Sequence, residues 1–109
     1  MGSEKLSISI TTVANQEVAD RLATSLLEQR LCACVNIIPG VSSRYWWQGK
    51  IEIEQEFMLI IKSRKSQTAK LQRALEQEHP YDTPEFISLK TAAVSEKYFE
   101  WVLAETKNG

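Results

Sequence analysis

Hydrophobic residues alternate with polar residues in several parts of the chain, and this alternation predicts β-strands. Near the start, Leu6, Ile8 and Ile10 alternate with serine and threonine, which is typical of a strand with one buried face. The nearly continuous apolar run over 31–38 predicts a strand that is buried on both faces. A last strand is predicted over 85–91.

The longest alternating region predicts a β-hairpin from residue 31 to residue 62. Pro39-Gly40 is expected to bend or bulge its first arm, because proline cannot donate a hydrogen bond to the ladder. Gln48-Gly49 supplies a two-residue turn, with glycine at a position that takes positive φ. With Trp47 opposite Lys50, the cross-strand pairs are Tyr45 with Glu52, Ser43 with Glu54, Val41 with Glu56, Trp46 with Ile51, and Arg44 with Ile53.

Apolar residues that recur every three to four positions predict two helices. The first covers 16–30 and follows Asn15, a residue type that favours the N-cap. The second is predicted to be capped by Ser66 and to run to about Glu78. A short third helix is predicted to follow Ser95 near the end of the chain.

The order of these elements is strand, helix, strand, strand, helix, strand and small helix. This order predicts an α+β, ferredoxin-like βαββαβ sandwich with both main helices on one face of an antiparallel sheet. The hairpin arms would be roughly 45 to 50 Å long, whereas a domain of this size has a radius of gyration of about 13 Å. The uncovered apolar sheet predicts assembly with further copies of the chain.

The composition is that of one soluble globular domain over 1–109, with 43% hydrophobic and 25% charged residues. A net charge of −1 gives no overall attraction for nucleic acid or an anionic membrane, so neither is predicted as a partner. The N-terminal residues show no signal-peptide pattern, and a cytoplasmic location is expected. No nucleophile-base motif or phosphate loop indicates an enzyme.

Three groups of residues are candidate metal ligands, and each has a structural alternative. His79 is the single histidine, and it could bind a metal with Glu78 and Asp82 or bond the free carbonyls at the end of a helix. Cys32 and Cys34 could bind a soft metal or behave as small buried hydrophobic residues. The third group is Glu52, Glu54 and Glu56, which could bind hard cations or form a solvated strand face. The solvated face is expected for Glu56.

Four motifs in order resemble the CutA family of divalent-cation-tolerance proteins, and the resemblance extends from Ser7 to Trp101. The motifs are Ala33-Cys-Val-Asn36, Ser43-x-Tyr45-x-Trp47-x-Gly49-Lys50, Glu52-x-Glu54 and His79-Pro-Tyr-x-Thr-Pro-Glu85. The resemblance implies a ferredoxin-like subunit in a homotrimer whose hairpins wrap the neighbouring subunits, and a structural similarity to PII-type signalling proteins. It also implies a link to copper and other divalent metals in bacteria, and to membrane-anchored acetylcholinesterase in animals.

The resemblance and the residue types together give three sets of predicted site residues. The copper site of some bacterial members uses a cysteine and a His-His pair at positions that read Thr11 and Glu78-His79 here, which disfavours a copper-selective site of that kind. The candidate ligands for copper or zinc are His79, Glu78 and Cys34. The candidate intersubunit ligand cleft comprises Tyr45, Trp47, Glu54, Lys62, Tyr81 and Glu85, and the candidate trimer interface comprises Trp46, Trp47, Ile51 and Ile53.

Three functions follow as hypotheses. The first is a homotrimer that binds divalent metals, or confers tolerance to them, and is not an enzyme. The second is a PII-like sensor that binds a small anionic ligand in the intersubunit cleft and relays it to a partner. The third is a structural trimer that anchors another protein.

Overall fold

The structure is a computed structural model that describes residues 4–108. Its strands are β1 (Leu6–Val13), β2 (Cys34–Trp47), β3 (Lys50–Arg64) and β4 (Ile87–Lys90), and its helices are α1 (Gln16–Glu28), α2 (Thr68–Glu78) and α3 (Glu96–Glu105), with a 3-10 turn over Lys65–Gln67. The N-terminal stretch without a signal-peptide pattern includes residues 1–3, which lie outside the described residues.

The four strands form one antiparallel sheet in the order β2-β3-β1-β4. This order, with two main helices between the strands, confirms the predicted ferredoxin-like α+β fold. The molecule measures 48 × 27 × 22 Å, and its β2–β3 hairpin accounts for the elongation because its arms are 14 and 15 residues long.

The hairpin register is the predicted one at every predicted pair, from Val41 opposite Glu56 to Trp47 opposite Lys50. The ladder shifts between Ile38 and Val41, which confirms the predicted bulge at Pro39-Gly40. At the tip, Gln48 and Gly49 have φ of 49° and 80°, and two positive φ values are what a type I′ turn requires.

The hydrophobic core lies between one face of the sheet and helices α1 and α2. Odd-numbered residues of β3 point to this face, and Leu59 and Ile61 are fully buried there. The helices contribute Leu22, Leu26, Leu71 and Leu75, each at most 2% exposed. We call the opposite side of the sheet the open face, because α1 and α2 do not cover it.

The element ends differ from the sequence predictions at several points. Helix α1 begins after the predicted cap, with Asn15 Oδ1 accepting from the Val18 N–H at 2.9 Å, but it ends at Glu28 because Arg30 adopts a left-handed φ of 59°. The prediction that Ser66 caps α2 was wrong: Ser66 lies in the 3-10 turn and donates its hydroxyl to Glu4 Oε2 at 2.6 Å.

The two predicted strands at the ends of the sheet are shorter than expected. Strand β2 begins at Cys34, and Leu31 and Cys32 instead pack into the core from the loop after α1. Strand β4 covers only Ile87–Lys90, since pairing with β1 is confined to those four residues. The segment 79–84 is non-helical, as its two prolines predict.

Candidate functional site

The middle of the hairpin and the loop after α2 bring tyrosines and carboxylates together on the open face. Even-numbered residues of β3 point to this face, and their β2 partners point the same way. The loop after α2 lies against them, with Tyr81 hydrogen-bonded to Glu56. We call this group the tyrosine–carboxylate cluster: Tyr45, Glu54, Glu56, Tyr81 and Glu85.

Glu56 is the central acceptor of this cluster. It is only 6% exposed, and its Oε2 accepts a hydrogen bond from the Tyr81 hydroxyl at 2.8 Å. The expectation of a solvated face at this residue was therefore wrong. Strand alternation places Glu56 on the open face but does not show that the loop after α2 covers it there. The sequence signal for this cover was the loop bounded by Pro80 and Pro84, because its prolines hold Tyr81 close to the end of α2.

His79 orients that loop through both of its ring nitrogens. The Tyr81 backbone N–H donates to Nδ1 at 3.2 Å, so the ring proton lies on Nε2, which donates to the Thr12 carbonyl at 2.8 Å. The side chain is 6% exposed, and its ring lies 4.7 Å from the Tyr81 ring between centroids. His79 thus ties the end of α2 to β1 and positions Tyr81 over β3.

The pKa values of three members of the tyrosine–carboxylate cluster are raised. Burial, the hydrogen bond to Glu56 and the nearby carboxylates raise the pKa of Tyr81, so its hydroxyl stays a donor. Partial burial and the charges of Glu54, Glu56 and Glu52 raise the pKa of Tyr45 in the same way. Burial followed by repulsion from Glu56 raises the pKa of the Glu85 carboxyl. Cluster carboxylates form no ion pair within residues 4–108.

Two residues predicted for the ligand cleft lie outside this cluster. Lys62 is eight residues beyond Glu54 on β3, roughly 26 Å at about 3.3 Å per residue. It pairs with Cys34 across the hairpin and donates from Nζ to Asn36 Oδ1. Trp47 ends β2 at the hairpin tip and is 45% exposed. The predicted cleft between subunits that would hold Lys62 and Trp47 with the cluster residues therefore stays a prediction.

The predicted metal ligands do not form a site within one subunit. Both ring nitrogens of His79 are engaged in hydrogen bonds, and Glu78 accepts from Gln29 Nε2 at 3.4 Å. Cys34 lies on β2 near Asn36 and the Tyr98 hydroxyl. Within residues 4–108, no group of three or more His, Cys, Asp or Glu side chains is arranged to hold a metal ion. Cys32 is 1% exposed, and burial followed by the charge of Cys34 raises its pKa to about 12.

The predicted interface residues lie on the exposed end of the hairpin. Trp46 is 73% exposed, and Ile51 and Ile53 are 60% and 65% exposed. Sequence reasoning missed three further apolar side chains that are 42% to 48% exposed and lie on the open face. These are Ile38, Ile87 and Leu89. The alternation of β4 did place Ile87 and Leu89 on one face. It did not indicate that this face is left uncovered, because a short edge strand does not show which of its faces packs against the helices.

Comparisons with known proteins place this fold in one family. The family described as CutA1 divalent ion tolerance protein matches residues 7–105. The chain is 41% identical over 100 residues to the divalent-cation tolerance protein CutA of Pectobacterium atrosepticum, covering 92% of this chain and 91% of that protein. It is 43% identical over 97 residues to the chloroplastic protein CutA of Arabidopsis thaliana, covering 89% of this chain but 53% of the relative, so it spans about half the length of that plant protein.

Solved structures agree with this assignment. The crystal structure of CutA1 from Oryza sativa superposes with a TM-score of 0.92 at 40% identity, covering 95% of each chain. The divalent cation tolerance protein of Thermus thermophilus superposes with a TM-score of 0.90 at 37% identity, covering 94% of this chain and 99% of that one. Residues 4–108 contain no helix with the length and apolar character of a membrane span. The chain therefore belongs to the CutA1 divalent ion tolerance family.

Proposed function

We propose that the chain acts as a homotrimeric divalent-cation tolerance protein. The observation that carries the proposal is the hairpin end, where apolar side chains are exposed on a projecting pair of strands. A single subunit with these exposed residues would be prone to non-specific association unless copies covered one another. The family resemblance supports three as the number of copies, and closed symmetry explains why assembly stops there.

The assembly uses two exposed surfaces of each subunit. The hairpin end presents Trp46, Ile51 and Ile53, and the open face presents Ile38 and Ile87. Together they are the aromatic and aliphatic anchors that protein interfaces favour. The hairpin of one subunit packs on the open face of the next, so each copy both provides a hairpin and receives one.

Sedimentation equilibrium tests this assembly directly. We expect a single species of three times the 12.4 kDa chain mass at micromolar concentration. The doubly substituted variant Trp46→Ala/Ile53→Ala is expected to shift the distribution towards monomer. A wild-type chain that sediments as a stable monomer would refute the proposal.

The metal component of the function is a separate proposal. The names of the relatives support a role in tolerance of divalent cations, but the candidate ligands of one subunit do not fit a copper or zinc site. His79 would have to give up two buried hydrogen bonds to bind a metal, and Glu78 and Cys34 are not grouped with it. A bound copper or zinc ion would therefore take ligands from more than one subunit.

Calorimetric titration of copper and zinc into the purified assembly tests the metal proposal. Stoichiometric binding that is lost when the subunits are separated by Trp46→Ala/Ile53→Ala would support a site built between subunits. Binding that survives in the separated subunits would contradict it. Absence of binding in both preparations would assign tolerance to an indirect effect and overturn the proposal of a bound metal.

The second candidate is a sensor that binds a ligand where subunits meet. The tyrosine–carboxylate cluster favours it, since Tyr45 and Tyr81 lie beside several carboxylates in the middle of the hairpin. The charge of this cluster disfavours the anionic ligand predicted from the sequence and suits a cationic one. Fluorescence titration with a nucleotide and with a polyamine distinguishes the two, and only the polyamine is expected to bind there.

The remaining predictions concern location, partners and catalysis. The matched family is named for ion tolerance and not for a reaction, which supports the proposal that the chain is not an enzyme. The cytoplasmic location stays a prediction, because plant relatives are named chloroplastic and an archaeal relative is named periplasmic. Anchoring of a partner protein and the absence of nucleic-acid partners also stay predictions.

A further inference from the structure

A groove on the helical side of the molecule gathers positive charge away from the tyrosine–carboxylate cluster. It has a volume of about 330 Å³ and lies between the C-terminal end of α1, the exposed side of α2 and the segment after α3. Three cationic side chains, two amides and two apolar residues line it. These residues are Lys70, Arg73, Lys107, Gln29, Gln77, Leu31 and Ala74.

The arrangement of these side chains is built by three separate parts of the fold. Lys70, Arg73 and Gln77 share one side of α2, because residues three and four apart are neighbours on a helix. Lys107 reaches the groove because its backbone is held on both sides. Its N–H donates to the Arg30 carbonyl at 3.0 Å, and its carbonyl accepts from Gln67 Nε2 at 2.8 Å.

The cations of the groove form no ion pair within the part of the chain that the structure describes. The ion pairs among residues 4–108 join Arg30 to Glu105 and Arg64 to Glu4, and none involves the three cations of the groove. Among residues 4–108, no carboxylate lines the groove either. The whole chain has a net charge of −1, so this concentration of cations is local and does not reflect an overall basic composition.

We propose that this groove binds a diphosphate group. The guanidinium of Arg73 can donate two parallel hydrogen bonds to one phosphate, and the ammonium groups of Lys70 and Lys107 can act as point charges on the oxygens of the next. The amide of Gln77 adds a neutral polar group at the rim, whereas Nε2 of Gln29 already donates to Ser25 and Glu78. The site is distinct from the cluster on the open face, so it does not depend on the proposed assembly or on metal binding.

Calorimetric titration of the full chain with inorganic pyrophosphate tests the proposal. We expect one site per chain, with an affinity that falls as the salt concentration rises. The variant Arg73→Gln/Lys107→Gln is expected to bind at least tenfold more weakly. It should retain its fold, because both side chains are exposed and Lys107 is held through its backbone.

The matched control is Lys90→Gln/Lys97→Gln, which removes the same charge from exposed positions on β4 and α3. It is expected to bind pyrophosphate within twofold of the wild-type chain. ADP serves as a second probe: tighter binding than pyrophosphate would identify a nucleotide as the source of the diphosphate, and equal or weaker binding would favour the free anion. No pyrophosphate binding, or an equal loss in both variants, would overturn the proposal.

Discussion

The two ends of strand β3 have the same pattern of residues and opposite environments. Ile51 and Ile53 near the hairpin tip are more than half exposed, whereas Leu59 and Ile61 on the same face are fully buried. All four occupy odd-numbered positions and point to the side of the sheet that carries the helices. Alternation therefore determines which face a residue occupies, and the reach of the helices determines whether that face is covered.

The difference has a simple geometric basis. Helix α1 has 13 residues and spans roughly 20 Å at about 1.5 Å per residue. The arms of the hairpin have 14 and 15 residues and span roughly 46 to 50 Å at about 3.3 Å per residue. The helices therefore leave more than half of the hairpin without cover, and its apolar residues there become available to other subunits.

The largest expected effect comes from the buried end of β3. Leu59→Ala is expected to lower the free energy of unfolding by about 2 to 5 kcal/mol, because the side chain is fully buried and its loss leaves a cavity. Urea unfolding followed by circular dichroism measures the change. The association state of the folded variant should match that of the wild-type chain, and a loss of less than about 1 kcal/mol would contradict the assignment of this end to the core.

Substitution at the exposed end of the hairpin is expected to affect subunit association instead. Trp46→Ala is expected to weaken subunit association by about 2 kcal/mol or more if this tryptophan is a buried anchor in the assembly. Sedimentation equilibrium over a range of concentrations measures the shift. Trp101→Ala is the matched control, since Trp101 is 44% exposed but lies on α3. Equal effects of the two substitutions would remove the special role of the hairpin end.

His79 tests whether the loop after α2 is held by hydrogen bonds or by a metal. His79→Ala leaves the Thr12 carbonyl and the Tyr81 N–H without their partner, and should cost about 1 to 3 kcal/mol of unfolding free energy. His79→Gln retains a donor and an acceptor, and should recover part of this loss. Thermal unfolding of the wild-type chain and of both variants, with and without a chelator, measures these changes. Destabilisation of the wild-type chain by the chelator would instead indicate that His79 is a metal ligand.

Two carboxyl groups, those of Glu85 and Glu4, differ in their expected dependence on pH. Burial and Glu56 raise the pKa of Glu85 above its ordinary value of 4.5, so its contribution to stability is full below that pH and is lost as the pH rises through the raised value. Glu85→Gln should therefore remove a decline in stability on going from about pH 4.5 towards neutrality.

Glu4, beside the start of the 3-10 turn, provides the opposite case. Burial alone would raise its pKa, but hydrogen bonds from Ser66 and the charge of Arg64 outweigh this and lower it. Its contribution is present above the ordinary value of 4.5 and is lost as the pH falls. Denaturant unfolding across the acid range should give slopes of opposite sign for the two Gln variants relative to wild type, and equal slopes would contradict both assignments.

The smallest expected effect is at the turn that joins the arms. Gln48 adopts a positive φ of 49°, and asparagine tolerates this region better than glutamine. Gln48→Asn is expected to stabilise the chain by less than about 1 kcal/mol, because the turn is exposed and only local backbone strain is relieved. Thermal unfolding detects the rise, and a decrease would show that the glutamine side chain has a role at the tip.

Much of the fold followed from the sequence because its signals are local. The two-residue turn at Gln48-Gly49 fixes the pairing of the two arms between the tip and the bulge. The register was therefore predicted correctly over that part of the hairpin. The cap at Asn15 was also predicted, since the preference for that residue type arises from one hydrogen bond. Ser66 has the same local preference, but its hydroxyl bonds Glu4 from a distant part of the chain.

The candidate site was predicted only in part because its members meet through tertiary contacts. The sequence indicated Tyr45, Glu54, Tyr81 and Glu85, but it did not show that Glu56 is buried between them. It also assigned Lys62 to the same intersubunit cleft, although within one subunit the length of β3 separates Lys62 from Glu54. The basic groove was missed entirely, since Lys107 reaches α2 only after the chain has folded back.

The sequence by itself determined the order of the strands and helices, the register of the hairpin and the presence of more apolar sheet than two helices can cover. Tertiary structure alone decided which apolar residues are buried, where His79 donates its proton and which carboxylate Tyr81 binds. The physical reason is that alternation and turn chemistry act over a few residues, whereas burial depends on how far a packed helix extends along a longer strand.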